Sequence, residues 1–99
     1  MGIRKIVWSD KATERYLQIL RWYQSERGNT FALKFFEGIQ NTIQTLAQMP
    51  TIGTLEQHRS ASRMKYYTFL SHPKYRIVYR FTKTTLYIVT IHATVMKQN

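Results

Sequence analysis

Cysteine is missing from this chain of 99 residues, which excludes a disulfide framework and any thiolate-bound metal. Acidic residues are scarce. Five Asp and Glu stand against fifteen Lys and Arg, a formal net charge of +10, so most of the cations have no internal counter-charge. Two prolines and four glycines are too few for a low-complexity chain. No run approaches the roughly 18 apolar residues that cross a membrane as a helix, and the opening MGIRKIVWSD holds no apolar stretch of signal-peptide length. The histidines, His58, His72 and His92, lack the close spacing on one helix that a metal site uses. These absences predict a cytoplasmic protein with no metal and no cofactor.

What is present predicts a single folded domain over residues 1–99. An apolar content of 43% with 14% aromatics supplies one two-layer core at this length. So positive a field attracts polyanions: nucleic acid, an acidic protein or an anionic membrane surface.

Residues Ile3 to Trp8 predict a short strand. Ser9 and Asp10 offer side-chain oxygens for a helix N-cap, and Ala12, Tyr16, Ile19, Leu20 and Tyr23 recur at helical spacing from Lys11 to Arg27. Gly28 ends that helix. Asn29 or Thr30 is the expected cap of a second helix, with an apolar stripe of Ala32, Phe36, Ile39, Ile43 and Leu46 closed by Pro50 and Gly53. A linker this short makes the two helices an antiparallel hairpin. Thr54 to Ser62 is polar and without period, and is read as a loop. Three strands are then predicted, Arg63 to Leu70, Tyr75 to Phe81 and Leu86 to His92, joined by SHPK and TKTT as an antiparallel meander.

Alternate residues of a strand face opposite ways. Tyr75, Ile77, Tyr79 and Phe81 are therefore assigned to the core and Arg76, Val78 and Arg80 to the outer face. In the last strand Tyr87, Val89 and Ile91 are the expected core set, which sets Thr90 and His92 beside the two arginines. For the first strand of the meander the expected core is Met64, Tyr66, Thr68 and Leu70, with Arg63, Lys65, Tyr67 and Phe69 outward. Cations interleaved with aromatics hold phosphates by charge and bases by stacking.

The order strand, helical hairpin, meander, together with VWSDKA, ALKFFEGI, LAQMPTIG and HPKYRIVYRF followed by LYIVTIH, resembles the RelE/ParE superfamily of type II toxin–antitoxin toxins, and its ParE-like, plasmid-stabilisation branch above all. The resemblance covers nearly the whole chain. It implies an α+β two-layer fold and a growth-arresting toxin neutralised by a cognate antitoxin. It implies no small-molecule cofactor and no membrane. RelE-like members cut messenger RNA in the ribosome, whereas ParE-like members poison DNA gyrase. Carried over by position, Arg76 matches the central-strand arginine, Lys65 and Arg63 match the basic residues that precede it, and His92 matches the histidine that ends the last strand. After His92 the sequence Ala93-Thr94-Val95-Met96 departs from the family pattern, which carries an arginine or tyrosine there.

Metal-free RNA cleavage needs a proton acceptor, a proton donor and cations for the charged phosphorane. His92 is the candidate acid or base, because imidazole titrates near neutral pH. Arg76 and Arg63 are candidates for holding phosphate charge, and Lys65 for the same task or as a base; Glu56 is a weaker candidate base. Arg80, Tyr67 and Arg59 are the expected RNA or anion contacts. A non-catalytic nucleic-acid-binding module or an inactive toxin remnant would use the same face.

Overall fold

The computed structural model describes residues 3–56, 64–71 and 75–93. Strand β1 (Lys5–Trp8) leads through Ser9 into helix α1 (Asp10–Glu26), and helix α2 (Asn29–Gln48) follows almost at once. A 3₁₀ turn (Pro50–Ile52) then delivers the chain to β2 (Thr54–Leu55), β3 (Tyr67–Ser71), β4 (Tyr75–Phe81) and β5 (Thr85–Ala93). The strands form one sheet in the order β1-β5-β4-β3-β2. Only β1 runs parallel to its neighbour, β5; the other pairs are antiparallel. This is the α+β order expected from the sequence, with β1 and β2 closing the two edges of the meander.

Helix α1 starts where Ser9 Oγ accepts the Ala12 N–H at 2.9 Å, and Asp10 complements the dipole in the first turn. It stops at Gly28, whose φ of +91° lies in the left-handed region that side chains resist. The N–H groups of Arg27 and Gly28 both donate to the Tyr23 carbonyl, at 2.8 and 2.9 Å. Gly28 also stands at the N-cap of α2, and Asn29 is already helical. The expected Asn29 or Thr30 cap is therefore absent, because only Arg27 and Gly28 link the two helices and Gly28 itself takes the N-cap position.

The buried side of α2 is Ala32, Phe35, Ile39, Ile43, Leu46 and Ala47. Phe36, expected in that stripe, is 42% exposed. Phe35 sits at helical spacing from both Ala32 and Ile39, and its ring meets those of Tyr16, Tyr23 and Tyr75 at centroid distances of 5.5, 5.4 and 5.0 Å. That aromatic cluster joins α1, α2 and β4 and outweighs any gain from burying the adjacent phenylalanine.

On β4 the assignment holds: Tyr75, Ile77 and Tyr79 are buried in the core against the helices, with Phe81 packed beside them. On β3 it is reversed. Tyr67 pairs with Tyr79, Phe69 with Ile77 and Ser71 with Tyr75, so Tyr67 and Phe69 join the core side and Leu70 is 50% exposed. Alternating aromatics and aliphatics on both sides of β3 hid the correct face, and pairing with β4 fixes it. Thr54 and Leu55, read as loop, form β2 against Thr68 and Tyr67. Two residues are too few to show a period.

Candidate functional site

The face of the sheet turned away from the helices depends on one irregularity in β5. Tyr79 pairs with Ile88 but Val78 pairs with Thr90, so Val89 is the additional residue of a β-bulge. Leu86 and Ile88 before it, and Ile91 after it, all reach the core. The expected core set of Tyr87, Val89 and Ile91 is thus right only beyond the bulge. Before it the faces are exchanged, and Tyr87 stands outward with Thr90 and His92. The signal was present in the sequence: Leu86, Ile88 and Ile91 cannot share one face of a regular strand.

Ser9 holds this bulge. Its hydroxyl donates to the Val89 carbonyl at 2.8 Å and its N–H donates to the Ile88 carbonyl at 3.0 Å. The same hydroxyl caps α1, so the helix start and the outer-face register share one side chain.

Two cation–ring pairs result. Arg76 is the cross-strand partner of His92 and Arg80 that of Tyr87. The Arg80 guanidinium carbon lies 3.9 Å from the centroid of the Tyr87 ring, a close cation–π contact. Between the pairs, Val78 and Thr90 face each other and are 1% and 0% exposed. The Thr90 hydroxyl is buried there without a hydrogen-bond partner among the described residues.

Residues 6–96 match the family described as the ParE toxin of type II toxin–antitoxin systems, parDE. The chain belongs to the ParE toxin family. A chain of the chromosomal ParDE toxin–antitoxin system from P. aeruginosa has a similar fold, with a TM-score of 0.72 over 92% of this chain and 96% of that one, at 18% sequence identity. At that identity the likeness is one of fold. No curated protein matches the sequence.

In this ParE-family chain the sequence-predicted site residues that are described do not all come together. Arg76 and His92 stand together at one end of the β4–β5 pair. Lys65 lies at the other end, where it lines an open cleft of about 310 Å³ with Met64, Tyr67, Arg80, Phe81 and Thr82. Arg76 and Arg80 lie four positions apart along β4, which is about 13 Å of strand. Tyr67 is turned away from the outer face, its ring stacked on Tyr79 at 5.7 Å and tilted against Phe81 at 5.3 Å. It is therefore not placed to stack a base beside Arg76. Arg59 and Arg63 lie outside the described residues. The sequence reading missed Tyr87, which the bulge brings to Arg80. Among the described residues no group of three or more His, Asp or Glu is placed to hold a metal ion, and no helix is long and apolar enough to cross a membrane.

Proposed function

We propose that the chain is the growth-arresting toxin of a two-component module, neutralised by a cognate antitoxin, and that once released it acts on DNA gyrase rather than on messenger RNA in the ribosome. Membership of the ParE family supports the toxin class, and the likeness to a chain of a ParDE system supports an antitoxin partner. The observation that carries the choice of target is the separation of the candidate residues among those described. Cleavage by 2′-hydroxyl attack needs acid, base and cations gathered around one phosphate. Here His92 has Arg76 as its cross-strand partner, whereas Lys65 and Arg80 share a cleft at the far end of the strand. A face built this way suits contact with a large anionic surface through several separate cations.

Controlled expression of the chain alone, with DNA damage and message integrity followed together, tests the proposal. The expected outcome is growth arrest with an induced DNA-damage response and intact messages. Arrest with messages cut inside the ribosome and no DNA damage would reverse the choice of target.

A further inference from the structure

Thr82 follows the last residue of β4, and its hydroxyl oxygen accepts the N–H groups of Thr84 and Thr85 at 3.4 and 3.1 Å. Both lone pairs are thereby engaged, and what the hydroxyl still offers is its proton. Thr82 is exposed and lines the open cleft of about 310 Å³ at the far end of β4.

The charged residues of the cleft are donors too. Lys65 and Arg80 line it beside Thr82, and none of the residues lining it is acidic. Arg80 is restrained as well, because its guanidinium carbon lies 3.9 Å from the centre of the Tyr87 ring. That contact orders a long side chain in advance and leaves its donor fork for a planar anion. The rest of the wall is carbon: Tyr67 and Phe81 line the cleft, both are half-buried, and their ring centroids are 5.3 Å apart. An acidic peptide would match the cations but not this aromatic surface. A nucleotide carries a phosphate and a flat base in one unit, and matches both.

We propose that this cleft binds a nucleotide, with the phosphate held by Lys65, Arg80 and the Thr82 hydroxyl, the base laid against Tyr67 and Phe81, and Tyr87 acting as the positioning residue for Arg80. The inference rests on the reading that the outer face acts by contact with an anion, and it names that anion. Neither Arg76 nor His92 takes part, and no bond is made or broken.

The test titrates the purified full chain with a labelled thymidine oligonucleotide of about six residues, using thymidine monophosphate, inorganic phosphate and a peptide of Glu and Ala as competitors. The monophosphate should displace the label at least about fivefold more effectively than inorganic phosphate, the increment of one stacked base. An unlabelled oligonucleotide more potent than the monophosphate identifies a strand as the source of the nucleotide, and one no more potent identifies the free nucleotide. Lys65→Ala and Arg80→Ala should each weaken binding at least about fivefold, whereas Arg15→Ala, which removes the same charge from the exposed side of α1, should change it by less than about twofold. Tyr87→Phe keeps the ring and should bind as the wild type does. Tyr87→Leu should weaken binding at least about threefold, and that loss should vanish in an Arg80→Ala background, which a merely structural role of the ring would not produce. Circular dichroism checks that each variant is folded, and Lys65, being exposed, is replaced without touching the core. Inorganic phosphate or the peptide competing as well as the monophosphate would overturn the proposal, and so would Arg15→Ala weakening binding as much as Lys65→Ala. DNA breakage with gyrase is scored separately: breakage without nucleotide binding defeats the cleft alone, and nucleotide binding without breakage defeats the gyrase reading alone.

Discussion

Tyr79 and Gly53 illustrate how one residue constrains another far along the chain. The Tyr79 hydroxyl donates to the Pro50 carbonyl at 2.7 Å and accepts the Gly53 N–H at 3.1 Å, which ties the 3₁₀ turn to the centre of the sheet. A Cβ on Gly53 would lie 2.5 Å from that hydroxyl and 2.6 Å from the Thr68 carbonyl oxygen. Gly53→Ala is therefore expected to destabilise the fold by about 1–3 kcal/mol, as overpacking does, measured by denaturant unfolding; an unchanged midpoint would show that β2 and β3 shift apart freely. Burial pushes the Tyr75 phenol above its ordinary value of 10.0, and its hydrogen bond and charge interaction with Tyr23 push it further. Tyr79 is also raised, mainly by burial and partly by Tyr67, against an opposing hydrogen bond from Gly53. Because the folded values exceed the unfolded ones, their contribution is fully present below about pH 10 and is lost as pH rises, the unfolded chain releasing its protons first. Stability should thus fall on the alkaline side, and Tyr75→Phe should make that fall shallower. A slope unchanged by the substitution would contradict this coupling.

Among the elements, β5 decides what the outer face carries, and its bulge depends on β1 through Ser9. Ser9→Ala removes both the cap of α1 and the donor to the Val89 carbonyl, so the expected loss, about 1–2 kcal/mol, is at the upper end for a helix cap. Thermal melting measures it, and amide exchange should quicken at Ala12 and near Val89 together; quickening at Ala12 alone would show that the bulge stands without Ser9. The helices and the three main strands were legible in the sequence because caps, period and turn residues are local. The Thr82 to Thr85 turn is of this kind: the Thr82 N–H donates to the Thr85 carbonyl at 2.8 Å, and the Thr82 hydroxyl accepts the Thr85 N–H at 3.1 Å. What was not legible depended on partners distant in sequence. The bulge, the reversed face of β3 and the choice of Phe35 over Phe36 are each fixed by packing on β4 or on the aromatic cluster. The candidate site shares this limit: Arg76, Arg80 and His92 were found on one face by alternation alone, whereas Tyr87 required the bulge.

At the scale of the whole molecule, a +10 chain presents one sheet face with its cations in two groups, while the opposite face is closed by the helices. The family places it among ParE toxins, and its outer face is proposed to act by charge and contact rather than by acid–base cleavage. Purified chain incubated with gyrase, ATP and supercoiled plasmid, followed by denaturant and protease, tests that claim directly. Linear DNA should accumulate with the wild-type chain and with His92→Ala, and should fall at least about tenfold when Arg76 and Arg80 are both replaced by alanine, each having lost a charge-assisted contact. No linear DNA under these conditions, together with His92-dependent cutting of messenger RNA on ribosomes, would contradict it.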